Sequence, residues 1–175
     1  MMKFLYIFII LNLYNPAFAS IKEKILSKMK DINNLNFNFI QTINDNSESG
    51  NCIIKYPKKI FCEYEDSNKK IIVSNGRSLV FKNNNYYYIY PLKKTPLEFI
   101  LDKNYLIKKI KNLEPREIDN KYLNFTIFED SKEINLFFNK KTFNLIGWQT
   151  EDVYQNLAVT FISSISINKN INDAI

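Results

Sequence analysis

Beyond residue 34 the apolar side chains of this chain fall on every second position, in one short run after another. Leu35, Phe37 and Phe39 alternate with Asn36, Asn38 and Ile40, and Leu123, Phe125 and Ile127 alternate with Asn124 and Thr126. Successive side chains of an extended chain point to opposite faces, so each run buries one face and leaves the other to solvent. The runs at 134–138, 143–148 and 157–167 have the same strand character. Turn residues separate the runs. Asn75-Gly76, a strong hairpin signal, joins 70–73 to 79–81, and Asn83-Asn84-Asn85 precedes the aromatic run 86–90. About ten or eleven such strands, without repeat or linker, imply a mainly β chain with short α-helices. A single antiparallel sheet of that strand number tends to curl, and helices then cover its concave face.

Two windows leave the period of two. Ser20-Ile21-Lys22-Glu23 has the form of a capping box, and Ile21, Ile25, Leu26, Met29 and Ile32 follow at helical spacing, with lysines on the other face. In Thr95-Pro96-Leu97-Glu98, Thr95 is placed to cap a second helix and Pro96 to occupy its first position. Its residues Leu97, Phe99, Ile100 and Leu101 are apolar over nearly the whole circumference. Such a helix is either deeply buried or touches something apolar that is not protein.

Composition removes several chemistries. The chain has no histidine and two cysteines, which excludes histidine-based nucleophilic sites and four-cysteine zinc sites. The net charge of +6 comes with only two arginines, Arg77 and Arg116. Base readout and bidentate phosphate contacts favour arginine, so no nucleic-acid partner is expected and the lysines read as solvated surface. A weak preference for anionic membrane surfaces remains. Glu48, Glu63, Asp102 and Asp152 are the candidates for a glycosidase-like acid pair, but none stands in a motif, and solvated surface is the better reading.

Residues 1–19 read as a cleaved signal peptide: Lys3 ahead of an apolar stretch, then Ala17-Phe18-Ala19 before Ser20. Residues 20–175 then form one exported domain. In an oxidising compartment two cysteines are best read as a pair. A hairpin folded about Pro57 sets Ile54 opposite Ile60 and Cys52 opposite Cys62, within reach of a disulfide.

The order of features carries a family resemblance. An amphipathic helix is followed by Phe39-Ile40-Gln41, Gly50, a strand ending before Pro57, Tyr64, Val73-Ser74-Asn75-Gly76, Thr95-Pro96 before an apolar helix, and four late strands. This resembles LolA, the family of periplasmic carriers that take lipoproteins to the outer membrane. The resemblance implies a strongly curved antiparallel sheet, an incomplete barrel, with helices covering a hydrophobic cavity for acyl chains. It also implies no cofactor, no covalent chemistry, a monomer, an inner-membrane ABC transporter as donor and an outer-membrane receptor as acceptor. The residues available for the cavity are Phe37, Phe39, Ile54, Ile60, Leu79 and Phe81 in the first half, and Leu97, Ile100, Leu101, Leu123, Phe125, Ile127 and Trp148 later. Where the family carries an Arg-Pro whose arginine latches the lid, this chain has Tyr56-Pro57, so Tyr56 or Lys55 is the candidate latch. The chain ends at Ile175, where the family usually continues with a further strand. A periplasmic lipid- or stress-sensing domain of the same fold is the alternative.

Overall fold

The computed structural model describes residues 20–65, 69–130, 132–152 and 155–171. The segment read as a signal peptide therefore lies outside the described residues. Helix α1 (Ile21–Asp31) opens the domain with the expected capping box, in which the Ser20 and Glu23 side chains each bond the other's backbone N–H. Eleven antiparallel strands follow in one sheet. They are β1 (Asn34–Ile43), β2 (Asn46–Lys55), β3 (Lys59–Tyr64), β4 (Ile71–Asn75), β5 (Ser78–Lys82) and β6 (Tyr87–Pro91), then β7 (Arg116–Ile118), β8 (Tyr122–Glu129), β9 (Lys132–Asn139), β10 (Leu145–Glu151) and β11 (Leu157–Ile167). Their spatial order is β6-β5-β4-β3-β2-β1-β11-β10-β9-β8-β7. The chain thus winds outward to β6, restarts at the opposite edge with β7, and returns to the centre, where β11 pairs β1. The edges β6 and β7 do not meet, so the sheet is open.

The turns follow from residue chemistry. Asn44 and Asp45 both adopt positive φ, 46° and 65°, and close the β1–β2 hairpin in two residues. Asn and Asp tolerate this left-handed conformation better than most residues. The β2–β3 hairpin has the register expected about Pro57: Cys52 faces Cys62, Ile54 faces Ile60, and a disulfide joins the two cysteines. Gly50 is required by close approach. A Cβ there would lie 2.1 Å from the Glu63 carbonyl oxygen and 2.8 Å from the Phe39 ring. Its absence lets Phe39 and Tyr64, on the two strands flanking β2, meet edge to face at 4.8 Å.

Between the two edges the chain crosses the concave face as a 3-10 turn at Leu92–Lys94, helix α2 (Leu97–Ile100) and helix α3 (Lys103–Lys111). Sequence predicts Thr95 as the cap of α2. Instead its hydroxyl donates to the Leu92 carbonyl at 2.8 Å, and Pro96 occupies the cap position. The Thr95 hydroxyl thus has its partner in the preceding turn, and α2 is a single turn. Helix α3 is capped by Asp102, whose side chain accepts from the Tyr105 N–H at 3.0 Å, and it buries Leu106 and Ile110. One core runs between sheet and helices and includes Ile25, Leu26 and Met29 of α1. Among the described residues no helix is long and apolar enough to cross a membrane.

Candidate functional site

Alternation along β1, β2, β3, β4 and β11 directs Phe37, Phe39, Gln41, Cys52, Ile60, Cys62, Tyr64, Ile72 and Thr160 to the concave face. There, with Leu97 of α2 and Trp148 of β10, they line a cavity of about 40 Å³. Its walls are aromatic: Phe37 meets Trp148 edge to face at 6.2 Å. Part of it is polar. The Tyr64 hydroxyl donates to Gln41 Oε1 at 3.2 Å, and Gln41 Nε2 donates to Thr160 Oγ1 at 3.0 Å. Small-molecule pockets occupy roughly 300–1,000 Å³. The space under α2 is therefore nearly filled by the side chains that line it.

Of the residues expected to bind acyl chains, Phe37, Phe39, Ile60, Leu97 and Trp148 border this cavity. Ile54, Leu79, Ile100, Leu101 and Phe125 lie in the surrounding core, none more than 1% exposed, and Leu123 and Ile127 are packed with them. Phe81 lines a separate open groove at the β6 edge. Sequence reasoning did not select Gln41, Tyr64, Ile72 and Thr160. The period of two that placed Phe37 and Phe39 also places Gln41 on the same face, so that signal was present.

Beside the latch candidates Tyr56 and Lys55, Lys58 reaches α2. This residue ends the β2–β3 turn at φ 64°, and its Nζ bonds Glu98 Oε1 of α2 at 2.5 Å and lies 3.6 Å from Asp102 Oδ2. Its backbone N–H donates to the Leu101 carbonyl at 2.8 Å, and its carbonyl accepts from the Ser74 hydroxyl at 2.9 Å. The hydrogen bond to Glu98, aided by the charges of Glu98 and Asp102, raises the Lys58 pKa above the ordinary lysine value although partial burial pulls it down. Tyr56 is half-buried, with its backbone N–H on the Asn33 carbonyl and its phenol pKa raised by burial. Lys55 stands in β2 opposite Asn34 and Lys59. Nothing local marked Lys58 out, because its partner Glu98 lies 40 residues further on.

The other two helices are tied differently. Lys103, at the start of α3, donates to the Lys30 and Ile32 carbonyls at the end of α1, at 2.8 and 2.6 Å. Lys22, at the start of α1, donates to the Leu113 carbonyl just past α3 at 3.1 Å and pairs with Glu114. Each helix thus neutralises carbonyls at the other's C-terminal end. Glu129 of β8 holds α3 from below, accepting from the Tyr105 hydroxyl at 2.9 Å and pairing with Lys109. Hydrogen bonds from Lys109 and then Tyr105 lower the Glu129 pKa, while burial and then Glu129 raise that of Tyr105.

The carboxylates considered as an acid pair have other partners. Glu48 bonds Lys70 at 2.6 Å, Asp102 caps α3, and Asp152 accepts from the Asn156 N–H at 2.8 Å. Glu63 is exposed on the outer face.

The sequence profile of the family described as outer membrane lipoprotein carrier protein LolA matches residues 30–175. No curated protein matches the sequence. Similar solved structures include a LolA superfamily protein from Nitrosomonas europaea, with 13% identity, TM-score 0.42, and coverage of 87% of this chain and 95% of that one. The lipoprotein LppX of Mycobacterium tuberculosis has 14% identity and TM-score 0.46, with 90% of this chain and 98% of that one covered. A chain of the Pseudomonas aeruginosa MucA/MucB complex has 10% identity and TM-score 0.48, with 89% of this chain and 59% of that one covered. These TM-scores are all below 0.5, so family membership rests on the sequence profile.

Proposed function

The chain belongs to the LolA family, and from that premise we propose that it binds the acyl chains of lipoproteins between its sheet and α2 and carries them through the periplasm to the outer membrane. One observation carries the reading. A single helical turn, α2, lies over an aromatic cavity with Leu97 at its border; Ile100 packs it into the core and Lys58 ties its middle through an ion pair.

Burying an acyl chain gains about 0.8 kcal/mol per methylene, so a chain of about 15 carbons is worth on the order of 12 kcal/mol. A carrier must supply comparable apolar surface and still release its cargo. A space of about 40 Å³ cannot hold such a chain. Binding therefore requires α2 to swing away, separating Lys58 from Glu98 and exposing Phe37, Phe39, Ile60 and Trp148. The chain's own contacts bias the closed state, and cargo shifts the population to the open one. The polar group of Gln41, Tyr64 and Thr160 suits the ester and amide groups where acyl chains join their lipoprotein. In this reading the protein needs no cofactor, receives cargo from an inner-membrane ABC transporter and passes it to an outer-membrane receptor.

The test is to purify the protein from the periplasm, extract it with organic solvent and search for acylated protein by mass spectrometry. Diacyl or triacyl lipoprotein is expected. Repeated absence, with no transfer from lipoprotein-loaded vesicles, would sink the reading. Leu97→Glu should abolish uptake while the fold is kept. Ile100 is unsuited to this test, because at 1% exposure it is core.

A further inference from the structure

The outer face of the sheet's first half carries an apolar row in direct register. Ile53 of β2 stands opposite Phe61 of β3, Phe61 opposite Val73 of β4, Val73 opposite Val80 of β5, and Val80 opposite Ile89 of β6. These positions alternate with the core residues Ile54, Ile60, Ile72 and Leu79, so they face away from the helices. With neighbouring strands about 4.8 Å apart, the row is about 19 Å long.

Exposure is greatest at the β6 end. Ile89 is 60% exposed and Tyr87, on the same face, 69%. On the opposite face of the strand Tyr88 is 56% exposed, and with Tyr86, Phe81 and Tyr90 it borders an open groove of about 220 Å³. An edge strand normally carries charge to deter association. Residues 86–91 carry none.

The charges lie around this strand instead. Residues 69–96 contain six cations and no carboxylate. Lys70 is engaged by Glu48, and Lys94 shares a polar rim with Asp130, Glu151 and Asp152. Three others bracket the aromatic strand. Lys82 is directly opposite Tyr87, while Arg77, whose carbonyl accepts the Leu92 N–H at 2.8 Å, lies with Lys93 at the other end.

We propose that the β4–β6 edge is a docking surface for a lipid bilayer carrying anionic headgroups. Tyrosine is favoured at the headgroup boundary, where its ring meets apolar surface and its hydroxyl meets water. Lysine and arginine beside it are drawn to anionic lipid. A second copy of the chain would set cation against cation. A partner strand added to β6 would use its backbone, and gives no reason for aromatic side chains exposed on both faces. The surface is separate from the α2 cavity and does not depend on the cargo reading.

The experiment is co-sedimentation of the whole protein with phosphatidylcholine vesicles, with and without phosphatidylglycerol, across a salt series. The wild type should bind the phosphatidylglycerol vesicles, bind neutral ones far less, and release as salt rises. Lys82→Gln and Lys93→Gln should each weaken binding about five-fold. Ile89→Glu should weaken it by about ten-fold or more. Thermal unfolding of each variant should match the wild type, since all three side chains are exposed. Absence of binding to anionic vesicles overturns the proposal, as does binding that Ile89→Glu leaves unchanged. A concentration-dependent dimer abolished by Ile89→Glu, without vesicle binding, would assign the face to self-association instead.

Discussion

Leu106 and Ile110 of α3 are fully buried, whereas α2 buries Ile100 and leaves Leu97 and Phe99 only partly buried, although both helices lie on the same concave face. The α1–α3 pair is held by apolar burial and by two lysines that reciprocally cap helix ends. Helix α2 has four residues, far too few to be stable alone. Its neighbours Leu92 and Leu101 are buried and anchor it, and Lys58 bonds its middle. The difference lies in what holds each helix: burial and reciprocal capping for α3, one buried residue and an ion pair for α2.

The largest effect should come from α3. Leu106→Ala should cost about 2–5 kcal/mol in denaturant unfolding, the usual range for truncating a buried leucine. Leu97→Ala should cost about 1–2 kcal/mol, in line with its partial burial. Equal costs would mean that α2 is ordinary core and that the distinction fails.

The hairpin that presents Lys58 is stapled by Cys52–Cys62, ten residues apart. Replacing both cysteines by alanine should remove about 2–3 kcal/mol, as expected for closing a loop of that size. If the hairpin positions the latch, hydrogen exchange should also quicken at 97–100 more than at 103–111. Uniform quickening would show that the staple serves only global stability.

Lys58→Met tests the latch directly. The pair is partly exposed, with side chains 30% and 21% accessible, so global stability should fall by less than about 1 kcal/mol. Exchange at 97–100 and uptake of an apolar fluorescent dye should both rise. A variant that changes neither would remove Lys58 from the mechanism.

Much of this was legible in the sequence. The period of two placed the late strands, and the turn at Pro57 set the register of Cys52 with Cys62. The features that escaped arise from contacts between distant residues or from competition between local ones. Asn44-Asp45 lacks the glycine that usually marks a two-residue turn. Thr95 resembles a cap, but its hydroxyl is taken by Leu92. Asp102, Leu106 and Ile110 do have the spacing of a capped amphipathic helix, so α3 was readable from sequence. Lys58 was not: it is one of many lysines, and only the fold brings it to Glu98.

The smallest effects distinguish the two regions by the sign of their pH dependence. Glu129 has a lowered pKa in the folded state, so its contribution to holding α3 is present above the ordinary glutamate value of about 4.3 and is lost as pH falls through the lowered one. The stability difference between wild type and Glu129→Gln should therefore be present at neutral pH and vanish on acidification. Lys58 has a raised pKa, so its contribution is present below the ordinary lysine value of about 10.4 and is lost as pH rises through the raised one. The difference between wild type and Lys58→Met should hold from neutral pH upward until strongly alkaline solution. Tyr105 is also raised and loosens α3 in the same alkaline range, so each difference must be measured against its own variant rather than read from the wild-type curve. If the Glu129→Gln difference survived acid, the ion pair under α3 would contribute nothing, and α3 would owe its hold to apolar burial and the two capping lysines.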